Sequence, residues 1–293
     1  MALVLVTVFV LSFLLMHFVP GGAFQSERKL PAAVEANFKR KYNLDKPLPE
    51  QAWLQATGYL RGDFGVSMKK DFLISTLIRQ GLPVSAALGT LALLFAFSVG
   101  LTAGIISAVA RGGPIDVGVM TLATIGIALP NFVIAGFAIL LFVFTIPLLP
   151  AAGWGSLRQL VLPAVCLGAP YAAYVARIAR TGMLDALSQD CIRTARAKGL
   201  SEPAVVLRHA LPTALLPVVS FLGPAVAGVL TGSPVIEKIF AVPGLGWHFV
   251  QSALDRDLTV AMGLVLLYTF ILYSANLLVD IAYRLLDPRV ELS

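Results

Sequence analysis

The chain has 293 residues, of which 58% are hydrophobic and 13% are charged, and its formal net charge is +6. Such a composition excludes an ordinary water-soluble domain and indicates a bilayer protein, in which apolar runs of roughly 18 residues or more mark spanning helices. The excess of Lys and Arg is therefore a signal of membrane topology, and nucleic-acid binding is not expected.

The first apolar run, residues 2–19, ends at Pro20-Gly21-Gly22 and predicts a transmembrane helix within residues 1–20. A cleaved signal peptide is the alternative interpretation. The run lacks the basic stretch that precedes the apolar part of a signal peptide, so a retained helix is favoured. The polar segment that follows, residues 21–82, is expected to lie outside the membrane and to contain short helices and turns.

Three more apolar runs predict the second, third and fourth spans. The second covers residues 83–110 and is closed by Arg111, the third covers residues 117–146, and the fourth covers residues 157–183. At 1.5 Å per residue the third run is roughly 45 Å long, too long for one untilted span and too short for two. A single helix that is kinked or tilted at Pro130 is therefore expected.

A basic element at residues 184–212 separates the fourth span from the fifth. The fifth span is predicted at residues 213–236 and the sixth at residues 259–286, with an external turn at residues 237–258 between them. The sequence thus predicts an all-α polytopic membrane protein with six transmembrane helices and no separate soluble domain.

Lys and Arg are distributed unequally between the short connections on the two sides of the membrane, and cytoplasmic loops carry the excess. We therefore expect the basic element and both termini to be cytoplasmic, and residues 21–82 to face outward. One side carries nine such residues: Arg111, Arg177, Arg180, Arg193, Arg196, Lys198, Arg208, Arg284 and Arg289. The other side carries three: Arg158, Lys238 and Arg256.

The segment CIRTARAKGLSEPAVVLRHALP predicts two helices joined at a glycine. Residues 184–198 contain no proline and predict the first helix, and Gly199 stands where a left-handed C-cap is needed. Ser201 is the predicted N-cap of the second helix, with Pro203 in its first turn. We expect Leu211-Pro212 to end that helix and to turn the chain into the fifth span.

The first of these helices carries a strip of small and apolar residues. Ile192, Ala195 and Gly199 lie three or four residues apart, and basic residues occupy the other faces. An amphipathic helix whose arginines meet lipid phosphates is the alternative. Small residues allow another protein surface to approach closely, whereas a lipid-binding face would carry Leu, Phe or Trp. We therefore expect the strip to meet another protein.

The order Arg193-Thr194-Ala195, Gly199, His209 and Leu211-Pro212 resembles the EAA loop of ATP-binding-cassette importer permeases. Arg193 and His209 depart from the Glu and Ile that are typical of that family at these positions. Five further passages, spread over nearly the whole chain, are similar to the dipeptide and oligopeptide branch of the family: LLMHFVPGGAF, KYNLDKPLPEQ, GDFG, VIEKIFAVPGLG and LLDPRVE.

This resemblance implies the type I ABC importer permease fold with a cytoplasmic EAA-type coupling helix, and residues 83–293 as the permease core. It also implies a bacterial plasma (inner) membrane location, a homologous second permease subunit, one or two ATPase subunits that bind ATP and Mg²⁺, and an extracytoplasmic peptide-binding protein. The chain itself is expected to hold no cofactor or metal and to catalyse no reaction. The implied ATPase-coupling residues are Arg193, Thr194, Ala195, Arg196, Lys198, Gly199, Leu200, His209, Leu211 and Pro212.

Two features of the sequence indicate an external energy source independently of the family resemblance. The middles of the second, third and fifth predicted spans contain no ionisable residue, although proton- or sodium-coupled carriers usually keep a few. The chain has no GxxxxGK[ST] phosphate-binding loop. An ATP-driven importer for peptides or, in a related branch, other small solutes is therefore favoured. A self-sufficient secondary carrier or channel and a purely structural membrane anchor are the alternatives.

Two further groups are candidate binding residues. In the family, the turn formed by Pro243, Gly244 and Gly246 lies near the external mouth, where a binding protein docks; a plain surface turn is the alternative. Polar residues within or beside the spans are candidates for the substrate pathway, although small residues in membrane helices more often pack against a neighbouring helix. The pathway candidates are Thr124, Asn131, Ser220, Thr231 and Ser233.

Overall fold

The computed structural model describes residues 2–18, 43, 45–230 and 233–286. Within these ranges the backbone is almost entirely helical, and its β contact is an isolated bridge between Val66 and Leu73. The predicted all-α class is confirmed. Pro20-Gly21-Gly22, the pathway candidate Thr231 and the C-terminal Arg289 lie outside the described residues.

Five helices of the described chain precede α6 (Leu157–Leu187), the helix at the centre of the packing. They are α1 (Ala2–Phe18), α2 (Leu48–Leu60), α3 (Ile74–Val109), α4 (Pro114–Ala128) and α5 (Asn131–Ile139, continued by a π-helix at Leu140–Thr145). The remaining elements are α6 (Leu157–Leu187), α7 (Asp190–Ala197), α8 (Glu202–Val205, continued by a π-helix at Val206–Ala210), α9 (Leu211–Leu230), α10 (Pro234–Ile239), α11 (Leu245–Leu254) and α12 (Leu258–Leu286).

Four helical stretches of the described chain are long and apolar enough to cross a membrane. They are α3, α6, the continuous helix that begins with α8 and includes α9, and α12. The pair α4 and α5 meets the same criteria jointly, while α1 is apolar but 17 residues long. The described residues thus supply four or five spans by these criteria, and the count of six stays a prediction.

The expectation of one kinked helix for the third span is wrong. The axes of α4 and α5 differ by 111° across Leu129-Pro130. Leu129 has ψ 131° and Pro130 has ψ 144°, so both residues have left the helical region. A proline disfavours the helical conformation of the residue before it and has no N–H to continue the ladder, and here both effects act together.

Two helix boundaries also differ from the prediction. Helix α3 begins at Ile74 and runs through Pro83, so its first turns belong to the segment that was expected to be external. Leu211-Pro212 does not end a helix, because the π-helix at Val206–Ala210 continues directly into α9. The π-helical register shifts the hydrogen bonds by one residue, which lets the chain pass a proline that has no N–H to donate.

Helix α6 lies at the centre of the packing, and α3 approaches it through glycines. A Cβ atom at Gly100 would lie 2.6 Å from the carbonyl oxygen of Ala172. One at Gly104 would lie 2.5 Å from the carbonyl oxygen of Ala176 and 2.7 Å from Cβ of Ala179. Small residues four apart let the backbones of two membrane helices come this close.

An ion pair joins the first turn of α4 to α6. Asp116 Oδ1 accepts a hydrogen bond from Arg180 Nε at 2.7 Å, and its Oδ2 accepts one from Arg180 Nη2 at 2.8 Å. The Ser107 hydroxyl and the Gly112 N–H also donate to this carboxylate. A charged pair with several hydrogen bonds offsets much of the cost of taking a carboxylate out of water.

We expect Gly104→Leu to destabilise the chain, because the added side chain must push α3 away from α6. Overpacking of this kind costs typically about 1–3 kcal/mol. The measurement is the thermal unfolding midpoint of the purified protein in detergent. Gly118→Leu is the matched control, since Gly118 is an exposed helical glycine with nothing within 4 Å of its added Cβ. Equal midpoints for the two variants would contradict the packing role.

Candidate functional site

The basic element forms the predicted turn but not the predicted first helix. Helix α6 ends at Leu187, so the expected helix over residues 184–198 is divided, and α7 begins at Asp190. Gly199 has φ +82°, which confirms the left-handed C-cap. Ser201 precedes α8, as predicted, although its side chain makes no capping hydrogen bond, and Pro203 lies in the first turn.

The apolar strip of this element faces the chain itself. Ile192 is 0% exposed and Ala195 is 5% exposed. They pack with the ends of α3, α6 and α9, so the expectation that the strip meets another protein is wrong for these two residues, while Gly199 is exposed. A short amphipathic helix buries its apolar face on the nearest apolar surface, which is supplied here by the adjacent helix ends. We call this buried group the coupling seat: Ala108, Met183, Ala186, Ile192, Ala195, Val205, Val206, Ala210 and Ala214.

The outward surface of the element is basic and polar. Leu200 and Leu207, which are 39% and 59% exposed, add two apolar side chains to it. Leu211 is half-buried and Ala195 belongs to the seat, so these two predicted coupling residues contribute little to the surface. The other predicted coupling residues are exposed: Arg193, Thr194, Arg196, Lys198, Gly199, His209 and Pro212.

An ion pair closes the turn between α7 and α8. Arg196 Nε donates to Glu202 Oε1 at 2.7 Å, and Arg196 Nη2 donates to Glu202 Oε2 at 3.2 Å. Arg193 pairs more weakly with Asp190, at 3.3 Å. Exposed pairs contribute little to stability, about 0–1 kcal/mol. The two-pronged Arg196–Glu202 contact bridges the two helices across Gly199. Buried Ile192 and Val205 hold both helices to the same cluster, so the turn has a defined shape before any partner binds.

A second polar centre lies at the external turn, around Glu237 in α10. Glu237 is 0% exposed. Its Oε1 accepts from the Ser85 hydroxyl at 2.8 Å, and its Oε2 accepts from the Trp247 N–H at 2.9 Å. The Ser85 oxygen in turn accepts from the Leu245 N–H at 2.9 Å. The carboxylate therefore satisfies backbone donors at the start of α11 and joins that helix to α3.

The glycines of the predicted external turn are buried against this carboxylate. A Cβ atom at Gly244 would lie 2.5 Å from Oε2 of Glu237, and one at Gly246 would lie 2.9 Å from the same oxygen. Both glycines are buried and cannot contact a docked protein directly, whereas Pro243 is exposed, so a docking role of this turn stays a prediction. An acidic residue shortly before Pro-Gly-Leu-Gly and a helix start is the sequence signal that could have identified this arrangement.

Burial raises the pKa of Glu237, while hydrogen bonds from Trp247, Ser85 and Gly246 act in the opposite direction. Loss of water disfavours the charged form of a carboxyl group, and donors aimed at its oxygens favour that form. The positive end of the α11 dipole lies on the same side as these donors and also favours the anion. The carboxyl group is thus a fixed acceptor inside the protein.

The segment between α2 and α3, which is predicted to be external, is tied to the loop between α11 and α12. Lys70 Nζ lies 2.7 Å from Asp255 Oδ2, and the Ser67 hydroxyl donates to Asp257. The neighbouring Lys70 ammonium and a hydrogen bond from Gln251 hold the pKa of Asp255 below its usual range. These contacts were not anticipated from the sequence, because the partners are far apart along the chain.

The predicted pathway residues are not gathered into one site. The hydroxyl of Thr124 donates to the carbonyl of Met120 in its own helix, and that of Ser220 does the same to Leu216. Ser233 caps α10. Asn131 is half-buried at the start of α5, and Thr231 is outside the described residues. Their role in transport stays a prediction.

The chain is similar to membrane components of transport systems. Its residues 100–292 match the family described as "Binding-protein-dependent transport system inner membrane component". It is 43% identical over 293 residues to the dipeptide transport system permease protein DppB of Bacillus subtilis, covering 100% of this chain and 95% of that protein. It is 42% identical over 291 residues to the oligopeptide transport system permease protein OppB of Haemophilus influenzae, covering 97% and 95%.

Solved structures show the same fold. The MetNI methionine ABC transporter in an inward-facing conformation aligns with a TM-score of 0.59 at 21% identity, covering 72% of this chain and 96% of that chain. An amino acid ABC transporter aligns with a TM-score of 0.57 at 19% identity, covering 72% and 94%. The expected permease fold is thus confirmed.

We expect Glu237→Ala to destabilise the external turn, because it leaves buried N–H and hydroxyl groups without their acceptor, at a cost of about 1–3 kcal/mol for each group left unsatisfied. Glu237→Gln is the matched control. Its amide oxygen can accept from the Trp247 N–H while its NH₂ donates to the Ser85 oxygen, so most of the stability should remain. Thermal unfolding and protease cleavage of the turn are the measurements. Indistinguishable variants would contradict the acceptor role.

Proposed function

Because the chain belongs to the family of inner membrane components of binding-protein-dependent transport systems, we propose that it is a permease subunit of an ATP-driven importer of dipeptides or oligopeptides. The names of the relatives that match nearly the whole chain support the peptide class. The observation that carries the coupling role is the exposed basic turn between α7 and α8, held in a defined shape above a buried seat.

The proposed role of this turn is to transmit force from an ATPase subunit. Its outward side chains are charged and polar, which suits a cleft on a partner protein. Its inward face is continuous with the helix ends, because Ile192 packs in the same cluster as Met183 of α6 and Ala214 of α9. A displacement of the turn therefore moves these helices with it, since packed interiors resist local deformation.

In this scheme the ATPase partners bind ATP and Mg²⁺, and a homologous second permease completes the membrane part. A loaded peptide-binding protein docks outside, where Pro243 is exposed beside the Glu237 centre. ATP binding and hydrolysis then bias an equilibrium between inward- and outward-facing states. The distribution of Lys and Arg supports cytoplasmic termini, a cytoplasmic basic element and an external segment at residues 21–82.

The fixed partners of Asp116 argue against the rival, a self-sufficient proton-coupled carrier. A coupling carboxylate must lose and regain its proton during the cycle. Asp116 instead receives two hydrogen bonds from Arg180 and others from Ser107 and Gly112, which hold it as a structural anion. Peptide transport by this subunit alone, driven by a proton gradient, would favour the rival.

The direct test is co-purification of the chain with candidate ATPase, permease and binding-protein subunits, followed by ATP hydrolysis measurements in lipid discs. Peptide that is delivered by the binding protein should stimulate hydrolysis. Stimulation by another class of small solute, without any by peptide, would contradict the proposed substrate.

We expect Gly199→Val to insert into the membrane normally but to lose transport and peptide-stimulated ATP hydrolysis. A β-branched residue at φ +82° is strained by about 1–3 kcal/mol, so the turn between α7 and α8 must change shape. Gly62→Val is the matched control, since Gly62 has φ +77° and open space around it but lies in the external segment. Full transport by the Gly199 variant at normal expression would overturn the coupling assignment.

A further inference from the structure

Helix α6 packs mainly against α3, α4, α5 and α9. One of its faces is left open. The open side carries Tyr174, Arg177, Thr181 and Asp185, which are all exposed and follow one another at spacings of three or four residues. Residues at these spacings share one face of a helix. We call this face the open strip of α6.

The two arginines of this helix differ in their surroundings. Arg180 is bound by both carboxylate oxygens of Asp116. No described carboxylate forms a salt bridge with Arg177, whose side chain is exposed. A charged side chain within a membrane-spanning helix is costly unless it meets water or a counter-charge. Arg177 therefore has to meet either water or a counter-charge from outside the described chain.

The composition of the open strip differs from that of a surface that faces lipid. On α3 the exposed side chains are apolar, including Leu94, Val99 and Ile106. The exposed hydroxyls of the same helix, such as Ser98, donate to backbone carbonyls of their own helix and offer little to a ligand. The open strip presents a phenol, a guanidinium and a carboxylate, which indicates an aqueous surface.

A shallow cavity follows the open strip between α6 and α9. It has a volume of about 300 Å³, and Arg177, Thr181, Asp185 and Pro217 contribute to its walls. One turn away, the rings of Tyr174 and Phe221 lie 5.8 Å apart and close that end of the contact between the two helices. The guanidinium group therefore sits beside a space that a peptide terminus can enter.

We propose that the open strip is the wall that this subunit contributes to the peptide pathway, and that Arg177 binds the carboxylate of a passing peptide; this inference rests on the proposed function. A guanidinium matches a carboxylate with two parallel hydrogen bonds. Asp185 lies about 12 Å further along the same helix and offers the opposite charge to the peptide ammonium. Solvent exposure keeps both contacts weak, as passage requires, since a solute that enters must also leave.

The assembled transporter with its binding protein, reconstituted in proteoliposomes, provides the test. Uptake is compared for two peptides of one sequence, one with a free C-terminal carboxylate and one with a C-terminal amide, after both are shown to bind the binding protein. We expect wild type to prefer the free acid by about two- to fivefold, as for an exposed charge pair. Arg177→Gln should abolish this preference and Arg177→Lys should keep part of it.

The outcomes separate the two proposals. If wild type transports neither peptide, the proposed function fails. If wild type transports peptides but shows no preference for the free acid, or if Arg177→Gln keeps the preference, the inference alone is overturned.

A second measurement, cysteine accessibility, tests whether the open strip faces water, lipid or the second permease. In a transport-competent Cys191→Ser background, Thr181→Cys should react quickly with a charged thiol reagent and be protected during peptide transport, while Ile106→Cys on α3 should react slowly. Equally slow reaction at both positions would show a lipid face and overturn the inference. Reaction of Thr181→Cys only after the two permeases are separated would show an interface between them and would also overturn it.

Discussion

The close approach of α3 and α6 at Gly100 and Gly104 is the contact on which the rest of the arrangement depends. In a bilayer the hydrophobic effect does not drive two apolar helices together, so their packing relies on close van der Waals contact. With α6 held in this way, Arg180 lies beside Asp116 and the open strip remains uncovered on the opposite face. The coupling seat then forms where α3, α6 and α9 end together.

The basic element has two different faces. Its small and apolar residues hold it to the body of the protein, and its charged residues are exposed. A turn that is already packed on one side and has a defined shape loses less conformational entropy when it binds a partner than a flexible loop does. In the proposed coupling role, this division lets an element with few outward apolar side chains serve as a mechanical contact.

Local signals predicted much of the fold and part of the site. Gly199 follows a basic helix and precedes Ser201 and Pro203, and that short pattern was sufficient to predict the left-handed turn. The Pro130 break was underestimated, because a proline indicates that a helix is disturbed but not by what angle. Leu211-Pro212 was predicted to end a helix, but the π-helical turn before it lets the helix continue through the proline.

Other features depend on residues that are distant in the sequence. The small strip around Ile192 indicates a buried face, but nothing in the pattern says whether the covering surface belongs to this chain or to another. Asp116 and Arg180 are 64 residues apart, and Ser85 and Glu237 are 152 apart. Such pairs require the three-dimensional packing of the helices, which periodicity alone does not provide.

The length of α3 has a mechanical consequence. Ser85, about three turns into this 36-residue helix, holds the Glu237 carboxyl group, and Ala108 near its C-terminal end packs in the coupling seat. The two points are roughly 35 Å apart along the axis, and a continuous helix between them acts as a strut. In the proposed orientation, forces on the outer turn and on the inner turn therefore act on two distant points of one stiff helix, so a shift at one point displaces the other.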